Sequence, residues 1–359
     1  MRVSAQKQAG HITADELAEK LQERMDSGQL QPGDRLPTFR DLRDRYGAAT
    51  NTISRAYDFL EGKDLVRRVR GSGVYVAEPD TATARWVVGC YGRGFSGATP
   101  YWLECINGIR GAATEYDIDI MLLPEIPQNV SLENSDGFIV SQPLNSNLPH
   151  AASDKPTVSL LYQWPGMRSV IADDYLGAQN AVSHLVKLGH EKIASLMIDS
   201  DNQFGEKRFA GYLSGLRKSR IEPSPQWSRP CEGAFGEKSF TQIAEENMNR
   251  WLSQNWENTG CTAILGYNDE VAIGIVHALM DHGLSVPEDV SVVGFDGTQV
   301  ARHCYPPLTT VKVPLSGIGR RCLETLSQQL NGSCESTPDE TAVLSTKLIE
   351  GKSTAPPPA

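Results

Sequence analysis

The feature that most constrains this chain is the alternation of short apolar runs with helical patterns from residue 86 onward. Runs such as WVVGC at 86–90, DGFIVSQ at 136–142 and SVVGF at 291–295 are separated by stretches with apolar residues at helical spacing. Alternating strands and helices form parallel sheets, because right-handed crossovers place each helix on a sheet face. About ten strands exceed what one small sheet holds comfortably. We therefore expect a two-lobed α/β domain over residues 86–354.

Composition excludes several classes of protein. With 40% hydrophobic and 22% charged residues, the chain has the composition of a folded globular protein rather than a disordered or fibrous one. Its apolar runs fall far short of the roughly 20 residues that a membrane helix needs. The N-terminus also lacks the apolar core of a secretory signal. The sequence thus predicts a cytoplasmic protein with no membrane partner.

The seven cysteines are scattered along the chain without a C-x-x-C pair, and no cluster of histidines stands at metal-ligand spacing. This pattern is typical of reduced, mostly buried thiols. The sequence therefore predicts no metal site, and no motif in it requires a cofactor.

The charges are distributed unevenly. Residues 1–78 carry a net charge of +1 and the rest of the chain carries −11, for a total of −10. Within residues 35–75, nine basic side chains stand against five acidic ones. This local excess indicates that the N-terminal part, rather than the whole surface, meets a polyanion.

Three helices are predicted at the N-terminus. Thr13 and Glu16 form a capping box before a helix over 14–26. Thr38 is the expected cap of a second, short helix that ends at Gly47. A third helix begins near residue 50, buries its apolar residues at helical spacing and exposes small polar groups on its first turns.

A Gly-rich hairpin follows these helices. Residues 65–69 and 74–77 read as two short strands around the tip RGSG at 70–73. A short polar helix alone is more often a solvated surface, and an Arg-rich hairpin alone is usually an exposed edge. In this order and with this charge, the elements predict a winged helix-turn-helix DNA-binding domain over residues 1–78, followed by a linker at 79–85.

Residues 12–77 resemble the DNA-binding domain of the GntR family of bacterial regulators in three segments, LQPGDRLPTFRDLRDRYG, NTISRAYDFLEGKDLV and RRVRGSGVYV. The resemblance implies that Arg40 contacts phosphate and base and that Gly71 and Gly73 let the wing backbone approach the minor groove. Many members have arginine where this chain has Thr50, so base readout is expected to rest on its neighbours. The expected DNA contacts are Arg40, Thr50, Asn51, Thr52, Arg55, Arg67, Arg68, Arg70, Gly71 and Gly73.

The segment from Gly92 to Gly97 has the G-x-G-x-x-G spacing of a dinucleotide-binding fingerprint directly after a predicted strand. In that fingerprint the glycines open a helix whose N-terminus faces the pyrophosphate. Here Thr99 and Pro100 are the expected cap and first residue of a helix that starts after the glycines. The acidic residue expected about 20 residues later at a strand end is also missing. The sequence argues against a nicotinamide cofactor.

Polar side chains follow several predicted strands of the α/β domain. The pairs Asp173-Asp174 and Asn268-Asp269 each follow an apolar run, as does Asp296, and Arg208 lies near the start of a helix. Ligands of parallel sheets bind at the carboxyl ends of the strands, where such side chains suit a polyhydroxylated ligand. The alternative for any single Asp or Asn is that it caps the next helix.

Residues 86–354 resemble the effector domain of LacI/GalR-type regulators, which has the periplasmic sugar-binding-protein fold. The segments that carry the resemblance include YLGAQNAVSHLVKLGHEKIA, GEKRFAGYLSGL and ILGYNDEVAIGIVHALMDHGLSVPEDVSVVGFDG. The resemblance implies an effector site in which polar side chains bind sugar hydroxyls, Phe235 packs on the sugar ring and the first helix supplies contacts from the other lobe. The expected effector contacts are Tyr101, Trp102, Arg208, Phe235, Asn268 and Asp296.

The chain departs from this family between Pro124 and Asp136. Only 11 residues lie between them, the bare minimum for a parallel crossover, so the usual helix is expected to be shortened or lost. The combination of the two resemblances is similar to arabinose-type repressors with a GntR-like head.

Together these features predict a transcriptional regulator, more specifically a repressor, that binds operator DNA as a homodimer and responds to a small sugar-like effector. Residues 355–359 are expected to be a tail. Two alternatives remain open, a solute-binding protein for sugar uptake and a regulator with a non-sugar effector such as a nucleoside. An enzyme is not expected, because no set of nucleophile, base and orienting group stands out.

Overall fold

The computed structural model describes residues 12–63, 65–69, 71–77, 86–96, 99–123, 134–141, 155–198, 203–233, 237–333 and 340–358. The chain forms two compact units, Met1–Thr83 and Ala84–Ala359. The predicted linker at 79–85 and most of the short crossover after Pro124 lie outside the described residues. In the described part of the chain, no helix is both long and apolar enough to cross a membrane.

The first unit has the predicted order of three helices and a hairpin. Its elements are α1 (Ala14–Asp26), α2 (Phe39–Tyr46), α3 (Thr50–Glu61), β1 (Val66–Val69) and β2 (Gly73–Val76). Both helix starts that the sequence predicts are confirmed, since Thr13 with Glu16 and Thr38 with Asp41 form capping boxes. These boxes satisfy backbone donors that would otherwise have no partner.

Apolar side chains from each of these elements form one small core. Leu17 and Leu21 of α1 and Ile53 and Leu60 of α3 are fully buried there. Because the buried positions of α3 follow helical spacing, its first turns keep their polar side chains on the surface. The core therefore fixes which side of α3 is available to a partner.

The second unit consists of two lobes, which confirms the predicted α/β class. Elements of the first lobe are β3 (Trp86–Tyr91), α4 (Pro100–Tyr116), β4 (Ile118–Leu123), β5 (Gly137–Val140), β6 (Thr157–Leu160) and β7 (Arg168–Ala172). The second lobe follows with α5 (Asp174–Lys187), β8 (Ile193–Met197), α6 (Gln203–Lys218), β9 (Ser228–Pro230), α7 (Phe240–Gln254), α8 (Trp256–Thr259), β10 (Ala263–Gly266), α9 (Asp269–Asp281), β11 (Ser291–Asp296), α10 (Gln299–His303) and β12 (Thr309–Lys312). The chain then returns to the first lobe with α11 (Leu315–Leu330) and β13 (Thr341–Leu344), and ends in the second with β14 (Lys347–Ile349).

Each lobe is built on one sheet. The first has the strand order β4-β3-β5-β6-β7-β13 and is parallel throughout, and the second has the order β9-β8-β10-β11-β12-β14 and is parallel except for β14. Parallel strands end at the same edge, so the polar residues that follow them gather on one side of each sheet. The predicted tail is tied to the second lobe, because the Ala355 carbonyl accepts hydrogen bonds from Ser291 and His190.

Glycines allow helices of the second unit to pack at short distance. A Cβ atom at Gly319 of α11 would lie 2.1 Å from the carbonyl oxygen of Cys105 on α4. One at Gly108 of α4 would lie 1.9 Å from the carbonyl oxygen of Ser316. Both partner atoms are backbone atoms, which cannot move aside as a side chain could.

We predict that Gly319→Ala lowers the free energy of unfolding by about 1–3 kcal/mol, because the added methyl group forces α4 and α11 apart. Gly317→Ala on the same helix is the matched control, since its Cβ would have no neighbour closer than 3.5 Å. Alanine should be neutral there or stabilising by up to about 1 kcal/mol. Urea unfolding of both variants checks this, and equal stabilities would contradict it.

Candidate functional site

A cavity of about 310 Å³ lies between the two lobes of the second unit. Five of the six predicted effector contacts line it together, namely Tyr101, Trp102, Arg208, Asn268 and Asp296. Phe235 lies outside the described residues. The cavity stands at the carboxyl ends of the strands in both sheets, the usual position for a ligand of this architecture.

The glycines after β3 shape the first-lobe wall of the cavity. As predicted, α4 begins at Pro100 with Thr99 as its cap, after the glycines and not at them. A Cβ atom at Gly94 would lie 2.5 Å from the Trp102 ring, and one at Gly92 would lie 1.9 Å from the carbonyl oxygen of Ser141. These glycines therefore give room to neighbouring residues, which accounts for the fingerprint-like spacing without a dinucleotide.

Arg208 organises the second-lobe wall. Its Nε donates to Asp174 Oδ1 at 2.8 Å, its Nη1 to the Tyr267 carbonyl oxygen at 2.7 Å, and its Nη2 to Asp296 Oδ1 at 2.9 Å. The guanidinium also lies over the Phe295 ring, with Cζ 3.9 Å from the ring centroid. One side chain thus joins the start of α5, the end of β10 and the end of β11.

Burial sets the electrostatics of this group. Arg208, Asp174 and Asp296 are all less than 10% exposed. Burial alone would lower the pKa of Arg208, but the attraction of Asp296 and Asp174 raises it above its ordinary value. Burial raises the pKa of Asp296 above its ordinary value, although Arg208 opposes the shift. The cation is therefore firmly held, and its two carboxylate partners depend on it for compensation.

The backbone at Asp296 is strained. Its φ of 98° lies in the left-handed region, which costs a non-glycine residue about 1–3 kcal/mol. Asn268 and Asp173 do cap the helices that follow them, since their side chains accept from the amides of Val271 and Leu176. The Asp296 carboxylate instead accepts from Arg208. The helix-cap alternative thus holds for Asn268 and Asp173 but does not describe Asp296.

Asp269, next to Asn268, also belongs to this wall of the cavity. It is 1% exposed, and its Oδ2 accepts from the Thr298 amide at 2.7 Å and from the Thr298 hydroxyl at 2.8 Å. Burial raises its pKa to about 6, while hydrogen bonds from Thr310 and Thr298 lower it. These bonds connect the end of β10 to the segment after β11, which holds Asn268 and Asp296 at a fixed spacing.

Several residues of the site were not predicted from the sequence. Tyr162, Phe204, Phe240 and Tyr267 add aromatic rings to the cavity lining. Tyr162 lies two residues after β6 and Tyr267 lies directly after β10, so a position near a strand end was a usable signal. Asp174 was one of the strand-end candidates, but its role as the partner of Arg208 was not predicted, because no local pattern distinguishes it from the capping Asp173 beside it.

Hydrogen bonds connect the two lobes next to the cavity. Lys312 Nζ donates to Glu104 Oε2 at 2.8 Å, one helical turn from Tyr101. On the other side, the Gln163 amide donates to Gln203 Oε1 at 2.9 Å and Gln203 Nε2 donates back to the Gln163 carbonyl oxygen at 2.8 Å. The described lobes therefore meet through polar contacts adjacent to residues that line the site.

The predicted DNA contacts lie on the first unit. The Arg40 side chain is 89% exposed and lies 3.9 Å from the Asp44 carboxylate, and Asn51 and Arg55 are exposed on α3. Thr50 Oγ1 accepts from Arg43 Nη2 at 3.3 Å. The remaining predicted contacts are distributed over α3 and the wing: Thr52 is half-buried, Arg67 and Arg68 are exposed on β1, Gly71 and Gly73 have positive φ, and Arg70 lies outside the described residues.

Cysteines and metal ligands form no further centre in the described part of the chain. Six cysteines are free there, five of them buried and Cys304 half-buried. Within the described ranges no group of His, Cys, Asp and Glu could hold a metal ion.

Comparison with known families assigns both units. A family model described as bacterial regulatory proteins of the gntR family matches residues 13–76, and one described as a periplasmic binding protein-like domain matches residues 182–354. The first unit is a gntR-family domain, and the second carries a periplasmic binding protein-like domain. Both resemblances predicted from the sequence are confirmed.

Two known regulators are similar to large parts of this chain. The HTH-type transcriptional regulator GalR of Salmonella typhimurium is 32% identical over 219 residues, which cover 57% of this chain and 60% of GalR. The chain thus spans less than two thirds of that relative. The arabinose metabolism transcriptional repressor of Geobacillus stearothermophilus is 26% identical over 336 residues, which cover 85% of this chain and 87% of the repressor.

A solved structure agrees with the fold of the periplasmic binding protein-like domain. The lac repressor dimer bound to operator and the anti-inducer ONPF superimposes with a TM-score of 0.62 at 23% identity, covering 75% of this chain and 94% of that one. At this identity the likeness concerns the fold alone.

We predict that Arg208→Met lowers the free energy of unfolding by about 3–5 kcal/mol at pH 7, because Asp174 and Asp296 are left buried without their counter-ion. Unpaired buried carboxylates have raised pKa values and take up protons as the pH falls. The deficit relative to the parent should therefore shrink between pH 7 and pH 5. Urea unfolding at both pH values measures it.

Arg217→Met is the control for this variant, because Arg217 is exposed on the same helix. It should change stability by no more than about 0.5 kcal/mol. If both variants lose the same free energy of unfolding, the Arg208 ion pairs make no specific contribution to stability.

Proposed function

We propose that this protein is an effector-controlled transcriptional repressor that acts in the cytoplasm, binds operator DNA as a homodimer and responds to a small sugar-like molecule. The observation that carries the proposal is one chain with a gntR-family domain and, in its periplasmic binding protein-like domain, a cavity lined by polar and aromatic groups of both lobes. A solute-binding protein for uptake would leave the gntR-family domain without a role.

DNA binding is supported by the surface of the first unit. The start of α3 exposes Asn51 and Arg55, and Arg40 projects from α2 with its charge in solvent. A helix of this size fits the major groove, and small polar groups near its start reach base edges. The proposed contacts are Arg40, Thr50, Asn51, Thr52, Arg55, Arg67, Arg70, Gly71 and Gly73. Arg68 is left out because its charge is already paired with Asp58 and Glu61.

A polyhydroxylated effector is supported by the chemistry of the cavity. Carboxylate, guanidinium and amide groups at one wall can both donate to and accept from ring hydroxyls. Aromatic rings from both lobes offer flat apolar surfaces to the carbon face of a sugar. The names of GalR and the arabinose repressor point to the same class of ligand. The aromatic lining also favours a nucleoside as the second candidate, since a base stacks on such rings.

Control of DNA binding follows from the position of the cavity. A ligand in the cavity can contact Tyr101 and Trp102 of the first lobe together with Asn268 and Asp296 of the second. Such a ligand stabilises the relative position of the lobes in which all four side chains reach it. The relative position of the lobes then depends on the ligand. In a dimer, such a change alters the spacing of the two DNA-binding domains and so their fit to paired half-sites.

A homodimer is supported by the exposed apolar residues of the second lobe. Tyr305 is 83% exposed and Met280 is 47% exposed, and both line one groove with Leu284 and Val286. Side chains of this kind on one surface are typical of an interface. A single winged helix reads few base pairs, whereas two half-sites multiply the discrimination against other DNA.

We predict that Arg40→Ala weakens binding to the operator that the parent selects from a pool of random-sequence duplexes. Arg40 is largely exposed, so the loss of its charge removes a DNA contact without removing packing. The midpoint of thermal unfolding should not change. Fluorescence anisotropy and sedimentation with the same duplex measure the affinity and the number of chains bound. Full affinity in the variant, or a parent that selects no sequence, would contradict the proposal.

We predict that Asp296→Asn weakens effector binding about ten- to hundredfold, a change of roughly 1–3 kcal/mol, because the carboxylate is replaced by a weaker acceptor. The effector is first identified by thermal shift among pentoses, hexoses, deoxysugars and nucleosides. Titration calorimetry then compares the parent, Asp296→Asn and the exposed control Asp281→Asn. DNA binding without ligand should persist in all three. Equal affinity in the parent and Asp296→Asn would exclude Asp296 from the effector site.

A further inference from the structure

The cavity between the lobes carries more acidic than basic groups. Among the described residues, its charged lining consists of Arg208, Asp269, Glu270 and Asp296. One of these is basic and three are acidic. Paired opposite charges largely cancel each other's field, so the charge that a ligand meets depends on which of the four are already compensated by the protein.

Arg208 is balanced by the protein itself. Its guanidinium donates to Asp174 Oδ1 at 2.8 Å and to Asp296 Oδ1 at 2.9 Å, and all three side chains are buried. A phosphate or carboxylate group that approached this guanidinium would therefore also approach two carboxylates. In the described part of the chain, no other lysine or arginine lines the cavity. This lining does not favour an anion.

Asp269 is satisfied without a cation. Its carboxylate accepts from the amide and the hydroxyl of Thr298 and from the hydroxyl of Thr310. These donors carry no formal charge, so they occupy three of the roughly four acceptor positions of the carboxylate without neutralising it. At pH 7, above its pKa of about 6, Asp269 adds a negative charge to the wall but has little accepting capacity left for a ligand.

Glu270, the second residue of α9, is the exception among these groups. It is half-buried and lines the cavity, and its backbone carbonyl accepts from Thr241 Oγ1 at 3.1 Å. Within the described ranges its carboxylate makes no hydrogen bond, and no nitrogen of a basic side chain lies within 4.0 Å of it. Burial raises the pKa of this carboxyl, and no positive side chain there opposes the shift. Its oxygens are thus available to a donor from outside the protein.

A structural role at the start of α9 is the alternative for Glu270, because acidic residues in the first turn of a helix are stabilised by its positive end. Glu206 offers the comparison. It lies in the first turn of α6, the helix that carries Arg208, but it is exposed and does not line the cavity. A helix start therefore does not require a carboxylate to be half-buried in a cavity wall, where it loses part of its hydration.

From these contacts we propose that Glu270 determines the charge class of the effector: its carboxylate accepts a hydrogen bond from a hydroxyl or amino group of the ligand, and the cavity rejects ligands that carry a phosphate or carboxylate group. The proposal rests on the proposed effector site and deepens it. A donor from the ligand supplies the partner that Glu270 lacks. An anion in the same place would bring like charges together where water screens them weakly.

The test compares uncharged, anionic and cationic versions of one ligand on the full-length protein. The probes are ribose with ribose 5-phosphate, galactose with galactose 1-phosphate and galactosamine, and adenosine with adenosine monophosphate. Thermal shift finds the sets that bind, and titration calorimetry at about 20 mM salt, where screening is weak, gives the dissociation constants. The readout is the ratio of the constants for the phosphate ester and the uncharged compound of one set.

We expect the parent to bind the uncharged member of at least one set about a hundredfold or more tightly than its phosphate ester. Glu270→Gln should reduce this ratio about tenfold or more, whereas Glu270→Asp, which retains the charge, should still reject the ester. Galactosamine should lose affinity relative to galactose in Glu270→Gln, because the ammonium group loses its counter-ion. Glu206→Gln is the matched control and should keep the parent ratio.

Stability without ligand separates specificity from a structural role. The midpoint of thermal unfolding of Glu270→Gln should be unchanged or higher, since the variant no longer holds an unpaired carboxylate away from water. A lower midpoint together with the parent ratio would assign Glu270 to the helix start and overturn the proposal. If Glu270→Gln does not fold, as judged by circular dichroism, Glu270→Ser takes its place with the same expected ratio.

The remaining outcomes distinguish this proposal from the proposed function. A parent that binds a phosphate ester as tightly as the uncharged compound, or an equal reduction of the ratio in Glu206→Gln, would overturn the role of Glu270. An effector-controlled regulator would still stand in both cases. A parent that binds none of the probes would overturn the role of Glu270 and the proposed sugar-like effector together.

Discussion

The geometry of the cavity wall in the second unit depends above all on the guanidinium of Arg208. Its three hydrogen bonds join Asp174, Tyr267 and Asp296, which come from the start of a helix and the ends of two strands. These segments are far apart in the chain, and the two strand ends carry side chains that line the cavity. Because a buried cation and its carboxylates compensate one another, none of the three can shift alone without exposing an unpaired charge to an apolar surrounding. The wall of the cavity is therefore rigid before a ligand binds.

The contacts between the lobes are placed where a ligand would act on them. Glu104 is one turn after Tyr101 on the same helix, and its partner Lys312 is opposite Asp296 in the pairing of β11 with β12. The rings of Tyr162 and Phe204 also meet across the lobes, with centroids 4.7 Å apart. A molecule in the cavity touches the same segments that hold these contacts. The proposed effector control therefore needs only neighbouring residues to couple ligand binding to lobe position.

The parts of the structure that the sequence predicted are those determined by short-range interactions. The limits of α1, the cap at Thr38 and the cap at Asn268 depend on residues within four positions of one another. The partners of Arg208 depend on residues 34 and 88 positions away, for which no local pattern exists. That five of the predicted effector contacts line one cavity followed from two arguments. One was the resemblance to LacI/GalR-type effector domains, and the other was the rule that parallel strands end at the same edge of a sheet. The pairing of Arg68 with α3 was missed because a count of basic residues does not reveal their neighbours.

The net charge of the first unit also counts acidic groups that are already engaged by hydrogen bonds or ion pairs inside the domain. Glu16 and Asp41 accept backbone hydrogen bonds at exposed helix starts, next to the positive ends of the helices. Asp58 and Glu61 are engaged by Arg68. Four acidic groups are thus compensated within the domain, by one arginine and by backbone dipoles. Fewer acidic groups are therefore free to oppose the basic side chains of the first unit than its net charge of +1 suggests, although the whole chain carries −10.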